Sequence, residues 1–159
     1  SNELITGIEI EIPLSFKTKD LTLQDTTNFL EEEFSIPSGL NESILSIIAH
    51  NEYPLDANVK IYFTNENFEM IDSLTSSEII QAGIPNSVTN KVEQATTSQI
   101  DFTLSKMRLE NILTAKKIIF KAVLNTQGNN YQKIYDTYSL NFSIIGNVEY
   151  AIKGQSLKQ

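Results

Sequence analysis

Histidine occurs once in the chain, at position 50, and cysteine does not occur at all. A serine hydrolase relay needs a nucleophile, an imidazole base and an acid that orients the imidazole. Any such relay would have to use His50, and neither Asp56 nor the nearby serines form a G-x-S-x-G elbow. A lone imidazole at a strand end reads as structural. A zinc centre needs three or four ligands of suitable type, which one histidine among scattered acids does not supply. The missing cysteines exclude thiol nucleophiles, disulfides and thiolate metal ligands from these residues. No glycine-rich phosphate loop is present. Glu9 and Glu11 fall on one strand face, where they read as a charge stripe that discourages edge pairing. Glu31, Glu32 and Glu33 are consecutive, whereas a calcium loop spaces its oxygens at alternate positions around a glycine; the run reads as a solvated loop. A glycosidase carboxylate pair can be distant in sequence, and nothing singles one out. A hydrolase with carboxylate chemistry therefore ranks last among the functional readings. No catalytic residue, metal or cofactor is expected.

One constellation is open to a binding reading. Asn129, Asn130, Tyr131, Tyr135 and Tyr138 group amides and phenol rings, which can hydrogen-bond and stack on a sugar. The same residues are ordinary at a hairpin end, where the ring packs and the hydroxyl stays wet. The chain has no tryptophan, which weakens the sugar reading.

The elements that would position these residues are mostly strands. The segment 43–63 reads as a hairpin of two strands joined by the polar turn 51–56. In the second arm Ala57, Val59, Ile61 and Phe63 share one face and Asn58, Lys60, Tyr62 and Thr64 the other, the period of a strand with one buried side. The first arm is apolar on Leu45, Ile47 and Ala49 and mixed on its other face, so it predicts a strand covered on both sides for part of its length. Pro54 removes a ladder donor and forces Tyr53 to be extended, and Asn51 and Asp56 suit a turn. Residues 8–16 alternate most regularly, with Ile8, Ile10, Ile12, Leu14 and Phe16 on one face. Pro13 places that strand at an edge or breaks it there.

Further strands are expected from residue 21, over 68–74, 100–104, 117–125 and 131–136, and over a long final stretch to 152 with a bulge or bend at Gly146. Residues 76–82 lean to strand, and 84–98 to a long loop or an exposed strand pair. Ser105 caps a single helix over about 105–114 that turns Leu109, Ile112 and Leu113 to one side.

The fold class expected is all-β: an immunoglobulin-like β-sandwich of seven to nine antiparallel strands with one short helix. The 159 residues suit a single domain over 3–153, after a tag-cleavage scar at 1–2 and before a flexible tail at 154–159. A net charge of −8 argues against nucleic acid, whose phosphates need clustered Lys and Arg, and against an anionic membrane surface. No apolar run reaches the roughly 18 residues of a transmembrane helix.

AHNEYPLDANVKIYF followed by IDSL resembles a pattern in uncharacterised surface lipoproteins of Bacteroidetes-type bacteria. LENILTAKKIIFKAVLNT with its polar turn and long terminal strand is similar to their C-terminal portion, so the resemblance covers about 43–152. It implies an immunoglobulin-like sandwich exported to the periplasm or cell surface, often lipid-anchored. It also implies O-glycosylation acceptors at Asp25-Thr26-Thr27 and Asp72-Ser73-Leu74. The Asn-x-x-Pro-Leu run at 51–55 is similar to one in the desiccation-related water-stress domain, another β-sandwich. Together these readings describe a non-enzymatic envelope module, a scaffold, adhesion or accessory domain. Its partner would be another envelope protein or a glycan, and the alternative is a carbohydrate-binding module using the tyrosines.

Overall fold

The computed structural model describes residues 14–30, 36, 39–126 and 131–150. The side chains of 14–16, 41 and 148–150 are not described within them. In chain order the strands are β1 (Leu14–Phe16), β2 (Leu21–Asn28), β3 (Leu40–Asn51), β4 (Asp56–Thr64), β5 (Met70–Thr75), β6 (Ile84–Pro85), β7 (Val92–Gln94) and β8 (Thr96–Ser105). Helix α1 (Lys106–Ile112) follows, then β9 (Lys117–Asn125), β10 (Gln132–Ile134) and β11 (Leu140–Tyr150). All pairings are antiparallel. Two sheets carry the fold, one ordered β2-β9-β4-β5 and the other β11-β3-β8.

The core lies between these sheets because each presents one apolar face. From β4 it takes Ala57, Val59, Ile61 and Phe63, all 0% exposed. From the opposite sheet it takes Leu45, Ile47, Ala49, Ile100 and Leu104, and from β9 Ile118, Ala122 and Leu124. β3 is central in its sheet, and Ser46 on its outer face is buried as well, as the mixed pattern of that strand predicted. The Phe120 and Phe142 rings stack across the sandwich, 4.9 Å between centroids and 8° apart.

The protein is an all-β sandwich of immunoglobulin-like type, with a rearranged perimeter. A constant-type immunoglobulin sheet pairs its second strand with its fifth and its third with its sixth. Here β3 pairs with β8 and β4 with β9, the same two pairs counted along the seven strands of the main sheets. The first of the seven, β2, lies beside β9, and the last, β11, lies beside β3. These two have exchanged sheets relative to the immunoglobulin order, and the fourth, β5, lies beside β4 where the constant-type order sets it beside the fifth strand.

Several expectations need correction. The segment 43–63 is not a hairpin: β3 and β4 belong to different sheets, and 52–55 is a corner that carries the chain across the sandwich. Both arms bury one apolar face, and set in opposite sheets those faces cover one another across the core. Among the described residues the two main sheets hold seven strands, within the expected seven to nine, and four short pieces pair beside them, β1 with β10 and β6 with β7. Pieces of two or three residues are too short to show a period. Residues 84–98 form an exposed strand pair through β6 and β7, whereas 76–82 contributes only the bridge Ala57–Ile80. Gly146 sits in regular register with Leu45, and the irregularity of β11 falls between Val148 and Tyr150. The helix is as expected, with the Ser105 hydroxyl accepting from the Arg108 amide and Leu109 and Ile112 buried.

Candidate functional site

At the corner end of the sandwich, three loops are tied to one another by side chains. Asn51, the last residue of β3, is 0% exposed. Its Nδ2 donates to the carbonyls of Leu55 and Gln81, both at 2.9 Å, and its Oδ1 accepts from the Tyr53 amide at 2.9 Å. One amide group thus folds the corner and fastens it to the segment before β6. Gly83 continues that segment and donates its amide to the Tyr53 carbonyl at 2.8 Å. A Cβ there would lie 2.7 Å from Val92 Cγ1 and 3.0 Å from the Asn51 carbonyl oxygen, so only glycine permits this approach. The Asp56 carboxylate accepts from the Ala82 amide at 2.9 Å.

The third loop, between β10 and β11, joins through Glu52. Its amide donates to the Ser139 carbonyl, and its Oε2 accepts from the Ser139 amide at 2.9 Å and hydroxyl at 2.7 Å. Those two bonds, the hydroxyl first, hold the Glu52 carboxyl below the usual carboxylate range. Burial raises the neighbouring Tyr53 phenol.

The predicted tyrosines meet here in part. Tyr138 is 8% exposed, and its hydroxyl accepts from the Val92 amide at 2.7 Å. Its ring is edge-on to Tyr53 at 6.0 Å and to Tyr135 at 5.3 Å, with interplanar angles of 83° and 62°. Lys91 Nζ lies 4.8 Å from the centre of the half-buried Tyr135 ring. Tyr131 is 72% exposed. Asn129 and Asn130 lie outside the described residues. Three coplanar, exposed rings are not what these residues form, because Tyr138 is used to pack the loops and to satisfy Val92. Tyr53 belongs to the cluster and was missed. In sequence it shows only as the residue before Pro54; its ring meets Tyr138 through a contact between residues 85 positions apart.

His50 is exposed on β3, with Nδ1 3.2 Å from the hydroxyl of its cross-strand neighbour Thr97. Among the described residues no group of three or more His, Asp or Glu could hold a metal; Glu9, Glu11 and Glu31 to Glu33 lie outside them. Of the expected acceptor sites, Thr26 is exposed on the edge strand β2. Ser73 is half-buried on β5, with its carbonyl bound by Arg108 at 2.7 Å. Arg108 also forks onto Asp72, with Nη2 to Oδ1 at 2.9 Å and Nε to Oδ2 at 3.1 Å. That pairing clips α1 to β5 and holds the Asp72 carboxyl below its ordinary value.

The second concave feature is the side of the sandwich between β2 and β11. Two adjoining cavities of about 370 and 440 Å³ share Thr27, Phe120 and Phe142 in their walls. The first, nearer the corner, is lined by Leu23, Asp25, Tyr53, Leu140 and Asn141. The second runs on to Ser43, Leu109, Ile112 and Ile144.

No protein-family model and no curated protein matches this chain. Among solved structures it is similar to the VP2 subviral particle of infectious bursal disease virus, with 10% identity over 90% of this chain and a TM-score of 0.47. It is also similar to the Gx strain of that virus, with 11% identity over 89% of this chain and a TM-score of 0.44. The chain spans about a third of the length of those proteins, 31% and 30%. At that level of overlap the likeness carries no functional inference.

Proposed function

We propose that the protein is a non-enzymatic module of the bacterial cell envelope, a scaffold, adhesion or accessory binding domain of an exported protein. The observation that carries this reading is the loop end of the sandwich. Three loops are fastened by Asn51, Glu52 and Tyr138 into one surface before any partner arrives. Loops ordered beforehand lose little entropy on binding, which favours recognition of a partner. The envelope location rests on the resemblance of 43–152 to surface lipoproteins. The partner expected is another envelope protein that meets Tyr131, Tyr135 and Lys91 at the rim of the loop end.

The test has two arms. In native cells the tagged protein is expected in the envelope fraction and to be digested by added protease either directly or once the outer membrane is opened; recovery in the cytosol overturns the reading. The purified protein is then crosslinked to envelope extract beside a Tyr131→Ala, Tyr135→Ala variant. A defined crosslinked partner lost in that variant is expected, and an unchanged pattern overturns the assignment of the surface. A glycan array on the same pair of proteins decides between an envelope protein and a sugar as partner.

A further inference from the structure

We propose that the cleft between β2 and β11 binds a single-chain amphiphile, an alkyl chain ending in a cationic amine, with its head at Asp25 and its tail running past Phe120 and Phe142 toward α1. The two cavities there, of about 370 and 440 Å³, meet at Thr27, Phe120 and Phe142, so one extended ligand can occupy both. Each lies within the roughly 300–1,000 Å³ of small-molecule sites. Their linings differ. The cavity nearer the corner carries Gln24, Asp25, Thr27 and Asn141 in its wall. The other is walled mainly by apolar side chains, among them Phe29, Leu109, Ile112, Ile118 and Ile144. A site polar at one end and apolar at the other fits a ligand of the same make.

The polar end comes from β2 itself. Directly opposed residues of an antiparallel pair point to the same side. Leu21, Leu23, Asp25 and Thr27 lie opposite Leu124, Ala122, Phe120 and Ile118 of β9, which belong to the core or pack on it. Asp25 and Thr27 therefore hold inward positions where the strand otherwise carries leucine, and both are exposed. The matching row of β4, Ala57, Val59, Ile61 and Phe63, is wholly apolar and 0% exposed. Charge then selects the head. Asp25 is the only charged residue among the described residues that line either cavity. Its Oδ1 accepts from the Thr26 amide at 2.8 Å, which fixes the carboxylate on the strand, and no Lys or Arg pairs with it among the described residues. A net charge of −8 likewise attracts an ammonium and repels a fatty-acid carboxylate. The tail would remove from water the half-buried Phe120, Phe142 and Ile144.

The test titrates the full ¹⁵N-labelled chain at neutral pH with dodecylamine, octylamine and dodecanoate, each below its micelle concentration, and follows backbone amides by NMR. Saturable shifts of β2 and β11 with dodecylamine, and none at β5, are the expected result. Octylamine should bind more weakly, by up to about fourfold for each methylene lost, and dodecanoate more weakly than dodecylamine. Asp25→Asn should weaken dodecylamine about two- to fivefold and bring dodecanoate nearer to it. Thr27→Trp fills the junction of the cavities from an exposed position and should abolish binding while β3 and β8 amides stay dispersed. Shifts spread over the whole chain without saturation, or unchanged in Thr27→Trp, would mean surface adsorption and overturn the proposal. Absence of binding would overturn it too, leaving Asp25 as an inward charge that guards an edge strand against pairing. Equal affinity for dodecylamine and dodecanoate would overturn the assignment of the head.

Discussion

The corner between β3 and β4 and the seam between β2 and β11 are both built from alternating apolar residues, yet they differ in closure. At the corner the inner residues of β4 are fully buried, and the one polar side chain trapped there, Asn51, has three partners. At the seam the inner residues are half-exposed and the trapped polar side chain, Ser43, has none among the described residues. The difference lies in the neighbours of each strand. β4 is flanked by β9 and β5 and faced by the other sheet, while among the described residues β2 and β11 are each paired on one side only. Alternation creates an apolar face; only a strand with neighbours on every side has that face fully removed from water.

The contrast can be broken first at Phe63, which is 0% exposed and edge-on to Phe29 at 5.0 Å. Phe63→Ala is expected to lose about 3–5 kcal/mol in urea unfolding, the cost of a large cavity in a core that cannot collapse. Asn51→Ala should come next. It strands the Leu55 and Gln81 carbonyls and the Tyr53 amide, but Tyr53 is half-buried and Gln81 exposed, so water replaces part of what is lost and a total of about 1–3 kcal/mol is expected. Hydrogen exchange should locate its effect at residues 51–56 and 81–83. Phe142→Ala in the seam removes the stacked partner of Phe120, and a loss near 1.5 kcal/mol is expected from the ring pair and partial burial. A loss as large as that of Phe63 would show that the seam is as closed as the corner.

The smallest effect is assigned to Asp72. Its carboxyl is held low, chiefly by the Arg108 hydrogen bonds, so its contribution is complete above the ordinary carboxylate value of about 3.9 and fades as pH falls through the lowered folded value. Asp72→Asn should therefore be less stable than the parent at pH 7, by under about 1 kcal/mol after discounting for the 43% exposed guanidinium. The gap should close once the pH is below that lowered folded value. A gap that persists in strong acid would mean that the ion pair is not its source.

Much of the fold was legible. The inner face of β4 and the capped helix follow from residue period and local hydrogen bonding. Ser105, for example, accepts from the Arg108 amide at the start of the helix. The candidate site was legible only in part. Tyr135 and Tyr138 are close in sequence and do meet, but Tyr53, Val92 and Lys91 join them from far along the chain. The role of Tyr138 as a packing residue was not legible, because a tyrosine pattern has no sign for inward or outward once a strand has ended.

By itself the sequence determined which residues could form strands, which face of each would be apolar, where the one helix starts, and that chemistry needing cysteine is closed to these residues. Tertiary structure alone decided partnership. It sent β3 and β4 to opposite sheets where a local reading paired them, exchanged β2 and β11 between the sheets, and turned Asn51 from a turn former into the buried tie of two loops. Period and capping are short-range properties of consecutive residues, whereas sheet order depends on which apolar faces cover one another across the whole chain.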